Sequence, residues 1–280
     1  MNNASFFIKN RALFGSFPIQ DAIEELEENG VKYFINLTDI RKEKNIIPYN
    51  TKYKYINYPI LDNYIPINLS RFSSFIIKIS YIIKSLKRGE LVYIHCRAGH
   101  SRSAIVVACI ICYIFNLTSI ESLQYTTKCH SNRINLRERR RKLGAPQSLI
   151  QKKFVHNFFE PLILKDNKFT YGFLNNSLFS VKTELGIFST SQLAFEEHIN
   201  KYIIENNISE SNNIDENIKN KIMEKILKLK FEQNIKIKEN LLNTGLKILI
   251  YQNKNDDFWS NDNKLGKIIM KIRNEYYDNI

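Results

Sequence analysis

The chain has 280 residues, of which 41 are Lys or Arg and 28 are Asp or Glu, a net charge of +13. An excess of that size steers anionic groups toward the surface, phosphorylated targets or nucleic acid alike, without choosing between them. No apolar run is long enough to cross a membrane, no apolar leader opens the chain, and only four cysteines are present, so the expectation is a protein of the cytosol, or of the nucleus, without a disulfide framework.

In chain order, residues 31–37 and 53–58 are rich in β-branched and aromatic side chains and read as strands. Phe72, Phe75, Ile76, Ile79, Ile82, Ile83 and Leu86 recur every three or four residues, one buried helical face that Gly89 brings to an end. Residues 91–94 form a short apolar run suited to a buried parallel strand, and residues 104–115 an apolar helix. Between them lies His95-Cys96-Arg97-Ala98-Gly99-His100-Ser101-Arg102-Ser103. Five residues separating Cys96 from Arg102 allow the backbone to curl until successive N–H groups converge at the start of the following helix, a nest for an oxyanion. The helix dipole and those donors, with Arg102 nearby, favour the thiolate of Cys96 and make it a nucleophile. Arg102 can grip two phosphoryl oxygens at once, which Lys cannot. Gly99 allows the loop to turn and approach a ligand closely.

These residues match the His-Cys-x5-Arg-Ser/Thr signature of the protein tyrosine phosphatase superfamily, and the first 160 residues or so resemble its dual-specificity branch. The resemblance implies an α/β fold, a parallel-sheet domain with flanking helices. It also implies that Cys96 attacks phosphorus to give a phosphocysteine that water hydrolyses. Ser103 would then assist departure of the thiolate, and His95, Arg97, Ala98, Gly99, His100 and Ser101 would cradle the phosphate with Arg102. The family's general acid falls on Asp62, in Tyr58-Pro59-Ile60-Leu61-Asp62-Asn63, 34 residues before Cys96. From the residues alone, Asp62 reads equally as a turn aspartate after proline. Arg97 and His100 either line the mouth of the pocket or point to solvent. The first 60 residues have neither the length nor the motif for the phosphotyrosine-clamping loop of tyrosine-specific relatives, so a shallow pocket is expected, admitting phosphoserine and phosphothreonine as well as phosphotyrosine in proteins. The loop is also similar to that of members acting on phosphatidylglycerol phosphate, which leaves a lipid or RNA 5′-phosphate, or capture of a phosphorylated ligand without turnover, as alternatives. No cofactor or metal is expected; Cys109 and Cys112 read as core residues of the apolar helix.

Arg133, Arg137, Arg139, Arg140, Arg141 and Lys142 make the densest basic stretch, either a solvated helix end or a contact for a second phosphate. Residues 161–167 read as a connection between a first domain, 1–160, and a smaller, mainly α-helical domain, 168–280. Residues 205–220 are polar enough to suggest a mobile insertion or a loosely formed helix start.

The second domain carries Gly186-Ile187-Phe188-Ser189-Thr190-Ser191-Gln192-Leu193-Ala194-Phe195, Leu241-Leu242-Asn243-Thr244-Gly245, Asp257-Phe258-Trp259 and Asn263-Lys264-Leu265-Gly266-Lys267, with Phe173-Leu174-Asn175-Asn176 upstream. These resemble the NADAR family, whose members act on ADP-ribose-related N-glycosides. Aligning Ala194-Phe195 puts Gln192 where that family has its acidic catalytic residue. A neutral amide can hydrogen-bond a sugar but cannot act as a base. The resemblance therefore implies a domain that binds a nucleotide or ADP-ribose-like ligand, with Gln192, Asp257 and Trp259 as its candidate site. An alignment through Glu197-His198 restores an acid at the expense of the Ala-Phe match. The alternative for Asp257 and Trp259 is a turn aspartate and a core tryptophan.

Overall fold

The computed structural model describes residues 3–43, 46–164, 179–253 and 256–278. A hairpin opens it. Strands β1 (Ala4–Ile8) and β2 (Ala12–Ser16) pair antiparallel across a turn in which Asn10 takes a φ of 57°, a region Asn tolerates better than most side chains. β3 (Val31–Asn36), β4 (Lys54–Asn57) and β5 (Leu91–Cys96) complete a five-stranded sheet of order β1-β2-β5-β3-β4. β2 with β5, β5 with β3 and β3 with β4 are all parallel. The expected parallel sheet thus carries an antiparallel edge strand, because a tight turn between β1 and β2 leaves no room for the crossover a parallel pair requires.

The middle strand, β5, is buried at all six positions. Side chains alternate across a strand. Leu91 and Tyr93 join Ile23 and Leu26 of α1 (Gln20–Glu28), with Leu13, Val31 and Phe34, in a cluster on one face. Val92 and Ile94 point to the other, where α3 (Arg102–Phe115) packs on the sheet with every residue from Arg102 to Cys112 buried, beside α2 (Leu69–Ser85) and α4 (Ser119–Ser131). The predicted face of α2 is buried at Phe72, Phe75, Ile76, Ile79 and Ile83 and half-buried at Ile82. Each fully buried side chain of that kind contributes about 1.5–3 kcal/mol. Two further helices, α5 (Glu138–Leu143) and α6 (Leu149–Phe159), close this first compact unit, Met1–Phe159.

The second unit, Glu160–Ile280, begins one residue before the stretch read as a connection and takes that stretch in. Leu162–Leu164 is a strand, β6, because its apolar run pairs in parallel with β9 (Leu249–Tyr251). Residues 165–178, and with them Phe173 to Asn176 and the expected start of the second domain, lie outside the described residues. A short hairpin, β7 (Val181–Thr183) and β8 (Gly186–Phe188), leads into α7 (Ser191–Glu205). The polar stretch after it holds one 3-10 turn, Ser211–Asn213. It then gives a capped helix start: the Asp215 side chain accepts from Asn217 N at 2.7 Å to open α8 (Glu216–Gln233). α9 (Ile235–Asn243), α10 (Asp257–Ser260) and α11 (Lys264–Asp278) follow. Phe195, Met223, Leu227, Phe231, Leu241, Trp259 and Ile269 centre a separate core.

Candidate active site

Cys96 stands at the carboxyl end of the central strand, buried, where parallel α/β sheets place their ligands. The residues on either side of it, His95 and Arg97, are tied to the ends of both neighbouring strands. Leu37 N donates to His95 O at 2.9 Å and Phe17 N to Arg97 O at 3.1 Å. Gly99 turns the loop with a φ of 73°, and a Cβ there would come within 2.4 Å of the Gly15 carbonyl carbon and 2.6 Å of Ser16 N. Only glycine fits against β2 at that point. Ser101 then stands at the N-cap position of α3 without a side-chain cap bond, so the thiol sits by a helix N-terminus, 3.5 Å from the Ser103 hydroxyl.

Arg102 is the most constrained side chain of the site. Its guanidinium donates through both Nη atoms to the two carboxylate oxygens of Glu43, and through Nη1 to Ile60 O at 3.1 Å. Nη2 also lies 3.2 Å from Asp62 Oδ1, so the loop after β4 delivers Asp62 to the same guanidinium. Burial opposes the Arg102 charge, but Glu43, Cys96 and Asp62 outweigh it and hold the guanidinium firmly protonated. Glu43 is 11% exposed and Asp62 52%, a fixed partner and a displaceable one. Nothing in the sequence pointed to Glu43. It sits in a run of charged residues, and only the need of a buried arginine for a carboxylate marks it out.

The remaining loop residues divide. The ring of His95 is fully buried, packed among Phe17, Tyr49 and Tyr93 with Nε2 2.6 Å from the Tyr49 hydroxyl. Burial pulls its pKa down to about 3, so the ring is a neutral support for the strand end rather than a charged wall of the phosphate cradle. Arg97 and Ala98 are exposed. His100 turns inward, its Nδ1 2.8 Å from His130 Nε2. Burial, then Arg133 and Arg140, lower its pKa to about 4. Ala98 and His100 border a cavity of about 310 Å³ that Arg133, Arg137 and Arg140 also line. The basic stretch thus reaches the loop's outer side.

Residues 14–152 match the family model described as the dual specificity phosphatase catalytic domain. The candidate tyrosine phosphatase 197R of Invertebrate iridescent virus 6 is 30% identical over 274 residues, 96% of this chain and 90% of its own length. The chain belongs to the dual-specificity phosphatase family. A second relative within it, the candidate tyrosine phosphatase 067L of Invertebrate iridescent virus 3, is 37% identical over 166 residues, 59% of this chain and 69% of its own length. Among solved structures, Tk-PTP in the active form aligns with 54% of this chain and 92% of its own, at 20% identity and a TM-score of 0.42. The human tyrosine phosphatase-like serine/threonine/tyrosine-interacting protein aligns with 55% and 95%, at 20% identity and 0.40.

This phosphatase-family chain also matches the NADAR domain model, over residues 210–276. Gln192 lies outside that match, half-buried, and donates to Glu196 Oε1 at 3.0 Å. Asp257 is exposed at the start of α10, and the helix is capped by its neighbour Asp256, which accepts from Trp259 N at 3.2 Å. The Trp259 ring is buried edge-on against Phe195 at 5.1 Å and Phe258 at 4.7 Å, so it anchors the core and offers no face to a ligand. Several other residues of the resemblance also serve the fold. Asn263 accepts from Tyr251 N and donates to Leu249 O, both at 2.8 Å, and a Cβ on Gly266 would meet that same Leu249 carbonyl oxygen at 2.3 Å.

Proposed function

We propose that this protein hydrolyses phosphate monoesters of phosphorylated proteins, on tyrosine and on serine or threonine, through a phosphocysteine on Cys96. The observation that carries the reading is the convergence of two separate segments: the contiguous loop and helix start that hold Cys96, Arg102 and Ser103, and the loop after β4 that brings Asp62 to the Arg102 guanidinium. The Cys96 thiolate attacks phosphorus in line, the loop N–H groups and Arg102 take the phosphoryl oxygens, and Asp62 protonates the leaving oxygen. With Glu43 occupying one edge of the guanidinium, the phosphoryl group draws on Nε and on the donor that Asp62 now shares. Asp62, freed, then stands beside the leaving oxygen, and in the second step it takes a proton from water while Ser103 supports the departing thiolate. No helix among the described residues is long and apolar enough to cross a membrane, and the four cysteines are free and buried, which supports a reducing, cytoplasmic setting. For the second unit, a nucleotide or ADP-ribose-like ligand would be bound rather than cleaved, since the neutral Gln192 amide cannot take up a proton as a carboxylate does.

Phosphate release from phosphotyrosine and phosphothreonine peptides, phosphatidylglycerol phosphate and 5′-triphosphorylated RNA, measured side by side for the wild type, Cys96→Ser and Asp62→Asn, tests the reading. Release from both peptides that Cys96→Ser abolishes, with Asp62→Asn losing about a hundredfold on alkyl phosphates and much less on aryl ones, is the expected result. Release confined to lipid or RNA moves the substrate class, and equal losses on both leaving groups place the acid elsewhere.

A further inference from the structure

Helix α4 opens on a reciprocal capping box, the Thr118 hydroxyl accepting from Glu121 N while the Glu121 carboxylate accepts from Thr118 N. Its far end brings His130 and Arg133 against the outer side of the phosphate loop. Arg133 is 3% exposed. Its Nη1 donates to Gly99 O at 2.7 Å, its Nη2 to Phe14 O at 3.0 Å, and the guanidinium lies 4.3 Å from the centre of the Phe14 ring. Among the described residues no carboxylate comes within ion-pair distance of it. Burial pulls its pKa down to about 10, and the groups that oppose that fall are Tyr93 and Cys96. A buried cation satisfied by carbonyls and left without a carboxylate is costly. Its placement at the loop therefore calls for an anion that the loop itself provides.

The C=O and N–H of one trans peptide point in opposite directions. Holding the Gly99 carbonyl outward, toward Arg133, turns the His100 N–H inward, to where the loop donors converge. We propose that Arg133 is a positioning residue of the phosphate loop, fixing the Gly99–His100 peptide so that its N–H serves the anion site, and lending a buried positive charge whose counter-charge is the Cys96 thiolate. The inference rests on the reading of Cys96 as nucleophile. His100 and His130 on this side of the loop are held neutral by burial and by the surrounding arginines. Arg137 and Arg140 line the same cavity, and of these three arginines Arg133 is the one whose guanidinium bonds the loop backbone at Gly99 and acts on Cys96.

The test is the pH profile of Cys96 alkylation by iodoacetamide, read peptide by peptide, together with kcat/KM, in Arg133→Met and Arg133→Lys of the full chain. Arg133→Met is expected to move the alkylation midpoint upward by about one pH unit and to lower kcat/KM about tenfold. Arg133→Lys keeps the charge and loses the two-pronged geometry. Its midpoint stays near the wild type while kcat still falls. A folded Arg133→Met with an unmoved midpoint and kcat/KM within twofold of wild type overturns the proposal, as does a fully active Arg133→Lys. Should neither variant fold, the wild type decides. The Arg133 side-chain resonances in a ¹⁵N-arginine spectrum shift when Cys96 is alkylated if the two charges are coupled, and stay fixed if they are not. Turnover surviving in Cys96→Ser removes the nucleophile reading itself, whereas a dead Cys96→Ser beside an unaltered Arg133→Met removes only the role of Arg133.

Discussion

Arg102 in the first unit and Arg273 in the second are both almost wholly buried, and they differ in what holds them. Arg273 is satisfied by the fold: its Nη1 donates to Thr244 Oγ1 and to Lys247 O, both at 2.9 Å, pinning the turn after α9 to α11. Burial lowers its pKa to about 10, with only Tyr277 acting the other way. Arg102 instead meets two carboxylates, one sheltered and one half in solvent, beside a thiol at a helix start. A buried cation closed off by carbonyl and hydroxyl oxygens, away from any loop that holds a nucleophile, is a structural rivet. One balanced against a displaceable acid at a strand end is prepared for a ligand that carries negative charge.

Substitution at the two arginines separates these roles. Arg102→Lys is expected to cost about a thousandfold in kcat/KM while unfolding as the wild type does, because a lysine cannot serve Glu43 and two phosphoryl oxygens together; a near-normal rate would make the bidentate geometry dispensable. Arg273→Met should do the converse, destabilising the second unit by about 3 kcal/mol, mostly through the lost hydrogen bonds to Thr244 and Lys247, and leaving kcat/KM unchanged. Trp259, the one tryptophan of the chain and a member of the second core, reports that unfolding directly by fluorescence. An Arg273→Met variant that unfolds as wild type would mean the carbonyl contacts contribute little.

A smaller effect comes from pH. His95 is neutral in the fold, with its pKa at about 3, against about 6.5 in an unfolded chain. The unfolded state therefore binds the extra proton. The stability this histidine permits is complete above about pH 6.5 and is lost as pH falls toward 3, costing about 2 kcal/mol at pH 5. Hydrogen exchange of the β5 amides at pH 7.5 and pH 5 should show that loss in the wild type and a diminished one in His95→Asn. Equal losses in both would assign the acid sensitivity to other groups.

How much of this was legible beforehand follows from how the information is laid out along the chain. The β5–loop–α3 segment is contiguous. The apolar run 91–94, Gly99 and the spacing of Cys96 from Arg102 each act on near neighbours, so strand, turn and helix start could be read together. β1 and β2 were not, since two five-residue strands around Asn10 offer too short an alternation to stand out. The position of Asp62 was readable from the family resemblance, and its contact with Arg102 follows from the loop after β4. Glu43 and Arg133 were not readable as members of the site. Each reaches the loop through a tertiary contact that no local pattern encodes, Glu43 from a run of charged residues and Arg133 from a basic stretch that read either as a solvated helix end or as a contact for a second phosphate. In the second unit the residues that carry the NADAR resemblance proved partly architectural: Trp259 fills the core and Gly266 allows α11 to approach β9. A motif made of packing residues marks a fold more strongly than it marks a chemistry.

The central claim is that the Cys96 sulfur takes the phosphoryl group. Rapid acid quench of the wild type during turnover of a phosphotyrosine peptide, followed by peptide mapping for a phosphorylated residue, tests it most directly. The account predicts one phosphorylated peptide, carrying the group on Cys96, that disappears in Cys96→Ser. Turnover without any phosphorylated enzyme, or with the group on another residue, would contradict it.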